Sequence, residues 1–132
     1  MFGLMMRLAI TSSIHRVAFA LCVAALCGCD TSARSLHLDE VRARESLTAS
    51  LDAWKAGKKT EDLKPEIIIG EWDWKTGTTL VAYEILPDER NDGTNLHIPV
   101  RLTLKDARGK SSKPEVIYVV GTSPVITIFR QD

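Results

Sequence analysis

The stretch Leu96-His97-Ile98-Pro99-Val100-Arg101-Leu102-Thr103-Leu104-Lys105 decides the fold class. Leu96, Ile98, Val100, Leu102 and Leu104 alternate with His97, Pro99, Arg101, Thr103 and Lys105. A strand sends successive side chains to opposite faces, so this pattern predicts a long strand with one buried face. Proline has no N–H to give a ladder, so Pro99 predicts a sheet edge or a bulge at that point.

Further strands are predicted on both sides. Upstream, Glu66–Trp74 and Thr78–Leu86 flank the turn signal Lys75-Thr76-Gly77 and read as a hairpin. The polar run from Pro87 to Asn95 reads as a loop, and Asp106-Ala107-Arg108-Gly109 as a second turn. Downstream, Pro114–Gly121 and Val125–Arg130 read as two strands around Thr122-Ser123-Pro124. Before all of these, Leu38–Ala56 reads as a helix with Asp39 as N-cap and Gly57-Lys58-Lys59 marking its end. Ala43, Leu47, Leu51 and Trp54 form its apolar stripe, opposite Arg42, Arg44, Glu45, Ser46 and Asp52. One amphipathic helix followed by about four to five strands predicts an α+β domain over residues 38–132, its helix packed on a curved antiparallel sheet. In element order alone, residues 38–130 resemble the cystatin-like and nuclear-transport-factor-like rolls. The cystatin inhibitor signature Gln-x-Val-x-Gly is absent, since Gln131 is the only glutamine.

The N-terminal segment has a different character. Arg7, His15 and Arg16 precede the apolar run Val17–Leu26. That run is too short to span a bilayer as a helix, which takes about 20 apolar residues. It suits the apolar core of a secretory signal. It ends in Leu26-Cys27-Gly28-Cys29, which resembles the lipobox of bacterial lipoproteins. The resemblance covers only the precursor segment, residues 1–28, and its junction. It implies cleavage between Gly28 and Cys29, lipidation of the Cys29 thiol, and attachment of the chain to a membrane in the cell envelope. A thiolate attacks a lipid donor far more readily than a hydroxyl does near neutral pH. Cys27 is a less usual small residue at its place in such a box. An ordinary cleaved signal with chance cysteines, or an uncleaved anchor, is the competing reading. Asp30-Thr31-Ser32-Ala33-Arg34-Ser35 then reads as a short tether, so residues 29–37 link lipid to domain.

Composition narrows the functional classes. The chain has 132 residues, with 17 basic and 17 acidic side chains. Removing residues 1–28 leaves 15 basic and 17 acidic ones, so no basic footprint for nucleic acid is expected. Cys22, Cys27 and Cys29 are the only cysteines, so the mature part cannot form an internal disulfide, and zinc-ligand spacing is missing. Asp88, Asn91, Asp92 and Gly93 fail the spacing of a calcium loop. No cofactor or metal is implied.

Three readings of candidate chemistry remain. Trp72 and Trp74, two apart on the expected strand, would share a face, and with Tyr83 could line a pocket for a small apolar or sugar ligand. The plainer reading places the tryptophans, with Trp54, in the core. Glu71 and Asp73 would share the opposite face as solvated carboxylates instead of an acid–base pair. His97 reads as a surface histidine beside Arg101, not a general base. The expectation is a non-enzymatic interaction module tethered to the membrane through Cys29, with another envelope protein as partner. A ligand-binding or enzymatic roll is the alternative.

Overall fold

The computed structural model describes residues 37–131, so the expected signal segment, the expected cleavage junction and Cys29 lie outside the described residues. The domain runs α1 (Glu40–Lys55), a short 3-10 helix (Thr60–Leu63), β1 (Ile67–Gly70), α2 (Trp72–Lys75), β2 (Thr79–Ile85), β3 (Arg90–Asn91), β4 (Leu96–Lys105), β5 (Ser111–Ser112), β6 (Glu115–Gly121) and β7 (Ile126–Gln131). It is an α+β domain with one mixed sheet.

Helix α1 starts where Asp39 can serve it. The Asp39 carboxylate accepts the Arg42 backbone N–H at 2.9 Å, a cap worth about 1 kcal/mol. Glu40 sits in the first turn and Lys55 in the last, each matching the local end of the helix dipole. Ala43, Leu47, Leu51 and Trp54 are all buried, as their spacing predicts. No helix among the described residues is long and apolar enough to cross a membrane.

Strand β4 is the spine of the sheet. Its even-numbered residues are buried, and His97 to Thr103 on the other face are half-buried. On one side it pairs with β2 and β3, on the other with β6 and β5. Pro99 can occupy this central strand because β2 and β3 do not join smoothly. Ile85 pairs with Val100 and Arg90 with His97, so Leu86–Glu89 bulge out opposite Ile98 and Pro99. The Leu86 N–H donates to the Pro99 carbonyl at 2.9 Å. A residue in an antiparallel strand points its N–H and C=O the same way, so the missing Pro99 N–H faces this bulge. Asp88 in the bulge takes φ of 74°, and Glu89 pairs with Arg44 of α1.

The expected hairpin between Glu66–Trp74 and Thr78–Leu86 does not form. Strand order is β1-β7-β6-β4-β2, so the two segments lie on opposite sides of the sheet. β1 pairs parallel to β7, with Ile67 opposite Ile126 and Ile69 opposite Ile128. The sheet is therefore mixed, not antiparallel throughout. The physical cause lies in residues 71–77. The Glu71 side chain accepts the Asp73 N–H at 3.0 Å. The Lys75 and Thr76 N–H groups then bond back to Glu71 and Trp72 carbonyls at 3.1 and 2.9 Å. This helical turn, followed by Gly77 at φ 93°, ends the strand after Gly70 and sends the chain under α1.

The core lies between α1 and the inner face of the sheet. Leu47 and Leu51 meet Leu80, Leu96, Ile98, Val100, Leu102, Tyr118 and Val120 in one continuous cluster.

Candidate functional site

The tryptophans hold the helix to the sheet. Because residues 72–75 are helical, Trp72 and Trp74 do not share a strand face. Trp74 is buried and stacks on Trp54, with ring centroids 5.3 Å apart and planes within 3° of parallel. The Trp54 indole N–H donates to the Thr78 carbonyl at 2.9 Å, and that of Trp74 to the Lys58 carbonyl at 2.8 Å. Each ring thus ties its helix to the backbone of the turn that follows the other helix. Trp72 is 75% exposed. Tyr83 sits elsewhere again, its hydroxyl donating to Asp52 on α1 at 2.6 Å. Partial burial, with the adjacent Asp52 carboxylate, pushes that phenol up to about 12, so it is a proton donor throughout the physiological range. Trp72, Trp74 and Tyr83 therefore do not converge on one pocket.

Glu71 is not a solvated carboxylate. It is 1% exposed. One oxygen accepts the Tyr118 hydroxyl at 2.6 Å, while the other accepts the Asp73 N–H and lies 3.4 Å from the Arg130 guanidinium. Arg130 also donates to Asp73 at 2.6 Å. Burial raises the Tyr118 phenol far above its ordinary value, and the Glu71 charge adds to the rise. Burial alone would lower Arg130, but its bonds to Asp73 and Glu71 outweigh that and hold it firmly charged. The network ties α2 to β6 and β7 and uses every buried group it contains. Among the described residues no buried side-chain nitrogen or oxygen lacks a partner. Glu71→Ala is expected to lower unfolding free energy by about 3 kcal/mol, since it strands a buried hydroxyl and part of an ion pair. Glu71→Gln, which keeps an acceptor for Tyr118, should cost less. Urea denaturation of both variants checks the order, and a cost for Glu71→Ala within the error of wild type would refute it.

His97 is organised by its surroundings. Its Nε2 lies 2.7 Å from Asp92 Oδ2 and its Nδ1 lies 3.3 Å from Arg90. Gln131 Oε1 also lies 3.4 Å from Nδ1, so the ring is held between Asp92 on one side and Arg90 and Gln131 on the other. Asp92 also accepts the Asn95 and Thr94 N–H groups at 2.7 and 2.9 Å. The Asn95 bond first, then His97 and Thr94, hold its carboxyl well below the usual range. Leu86, Pro87, Asp88, Arg90, Pro99, Glu115, Ile117 and Gln131 line the shallow space around His97. The dyad therefore organises its loop. Asn91 likewise spends its oxygen on the Gly93 N–H at 2.7 Å. Among the described residues no three His, Cys, Asp or Glu side chains gather as metal ligands.

The outer face of the sheet is the remaining candidate surface, and it divides in two. Across β4, Arg101 bridges Glu84 at 2.9 Å and Glu115 at 2.6 Å, giving a solvated charged half. Across β1, β7 and β6 the same face is apolar. Ile68, Ile117 and Phe129 are 39, 40 and 46% exposed. Val119 pairs with Phe129 on one side and His97 on the other, making the patch continuous. The Phe129 ring lies across Gly70 so closely that a Cβ there would meet Cδ1 at 2.1 Å. Glycine is required at this position for the ring to cover the edge strand. Trp72 comes two residues after the end of β1, an outermost strand of the sheet. The sequence contained one signal for this patch. Three consecutive isoleucines cannot all face inward on a strand, so Ile68 had to point away from Ile67 and Ile69.

No protein-family model matches the chain, and no curated protein or solved structure matches it either.

Proposed function

We propose that this chain is a small lipid-anchored, non-enzymatic interaction module of the cell envelope, held through Cys29 and binding another envelope protein on the apolar half of its outer sheet face. The observation that carries the reading is the contiguous patch of Ile68, Ile117, Val119 and Phe129, with the exposed Trp72 two residues beyond the end of β1. Apolar patches rimmed by polar residues mark interaction surfaces, and tryptophan is enriched among residues that dominate binding energy. β1 adds a second means of contact, because an outermost strand can accept another strand along its edge. The Leu26-Cys27-Gly28-Cys29 box supports the anchor and the compartment. The finer fold reading, a cystatin-like roll, rests on the order of one helix before the strands, and the parallel β1–β7 pair departs from it.

A photoreactive residue at position 72 or 117 in intact cells should capture a discrete partner. Trp72→Ala combined with Ile117→Asp should remove that adduct from a probe at position 68. The two side chains are 75 and 40% exposed, so stability should change by no more than about 1 kcal/mol. Capture that persists in the stably folded double variant would refute this surface.

A further inference from the structure

A second site lies apart from the outer sheet face. Between the C-terminal end of α1 and the α2–β2 turn is a half-open cleft of about 600 Å³. Trp54 and Trp74 form its wall, and both indole N–H groups are already spent on the Thr78 and Lys58 carbonyls. The wall is therefore aromatic and offers no spare donor. The polar chemistry comes from the rim, where Lys58, Lys59 and Lys75 stand.

Among the described residues, no carboxylate is within ion-pair distance of these lysines. The one acid lining the cleft, Glu61, is paired with Lys64 at 2.9 Å. Three lysines without a direct ion-pair partner thus come from two segments on either side of β1, brought together by the tryptophan stack, although Lys75 still feels the charge of Glu61. The end of α1 contributes a partial negative charge of about half a unit, too little to offset three ammonium groups. A cleft of this size suits a small ligand, and lysine is a point-charge binder of phosphate.

We propose that this cleft binds a multiply charged phosphate compound, its oxyanions held by Lys58, Lys59 and Lys75 against the Trp54–Trp74 wall. The chain enters the domain beside the N-cap of α1, and the cleft lies at the other end of that 16-residue helix, a length of about 24 Å. Given anchoring through the segment before α1, this separation favours a soluble or polymeric phosphate over a headgroup of the anchoring membrane.

The test uses the full mature lipidated chain in neutral detergent, titrated with inorganic pyrophosphate and read by tryptophan fluorescence. A parallel arm measures flotation of the chain with phosphatidate-containing vesicles against phosphatidylcholine vesicles. The expected result is saturable, salt-sensitive pyrophosphate binding. It should weaken about tenfold in Lys58→Gln/Lys59→Gln/Lys75→Gln, the combined worth of three partly screened ion pairs. The charge-matched control Arg108→Gln/Lys110→Gln/Lys113→Gln changes exposed residues outside the cleft and should bind like wild type. Phosphatidate-dependent flotation lost only in the cleft variant would support the same site with a lipid source. Absence of saturable binding in both arms, or equal binding by the two triple variants, would overturn the proposal. Circular dichroism confirms that each variant is folded before it is titrated.

Discussion

Trp54→Ala is expected to lower unfolding free energy by about 4 kcal/mol, within the range for removing a buried tryptophan. Three losses combine. The ring is 3% exposed, so its deletion leaves a cavity that α1 cannot collapse into without moving. The stack on Trp74, with centroids 5.3 Å apart, contributes about 1 kcal/mol beyond area burial. The Thr78 carbonyl also loses the indole donor at 2.9 Å. Small domains have only about 5–15 kcal/mol in total, so this variant should be near its folding threshold. Trp74→Ala should cost a similar amount, and the double variant less than the sum, by roughly the stacking term of about 1 kcal/mol. Trp54→Phe restores an aromatic ring without the N–H and should recover more than half of the loss. Urea denaturation followed by circular dichroism gives all four values. Strict additivity of the two alanine variants would show that the rings are neighbours without mutual stabilisation.

The same residues show what a linear reading can and cannot supply. Leu96–Lys105 was legible because a half-buried strand writes its environment into a period of two, and its burial alternates residue by residue. Helix α1 was legible because the capping side chain and the apolar stripe are both local. Glu71-Trp72-Asp73-Trp74 was not. Its alternation is compatible with a strand, but the Glu71 carboxylate reaches the Asp73 N–H and starts a helical turn. Tyr118 and Arg130, which make Glu71 tolerable in the interior, are 47 and 59 residues away in the chain. Nothing near Glu71 announces them. The parallel pairing of β1 with β7 is equally non-local, since Ile67 meets Ile126. The lysine cleft escaped for the same reason. Lys58-Lys59 read as the end of a helix and Lys75 as part of a turn, and only the Trp54–Trp74 stack places them around one space. Patterns within a segment report which face is buried. They do not report which distant segment covers it.

Cys29→Ser is expected to abolish membrane retention of the mature chain. The apolar run Val17–Leu26 has ten residues, about 15 Å as a helix against a hydrocarbon core of about 30 Å. A run of that length would suit an export signal better than a membrane-spanning anchor. After cleavage, the mature part keeps no comparable apolar segment, and attachment would rest on acyl chains at residue 29. One such chain gives only marginal, reversible binding, whereas two or three hold firmly, so the response to losing the thiol should be all or none. Serine keeps the size of the side chain but lacks a thiolate, the nucleophile for lipid transfer. Labelled fatty acid should enter the wild-type chain and not the variant. The variant should accumulate as uncleaved precursor or appear as a released soluble form. A cleaved, unlabelled variant that stays in the membrane fraction would show that some other surface holds the protein. An uncleaved wild-type chain of full precursor size would instead favour the N-terminal segment itself as the anchor. In the lipidated case, Asp30–Ser35 can reach at most about 20 Å, so the domain that carries the apolar sheet face would stay within a short reach of the membrane.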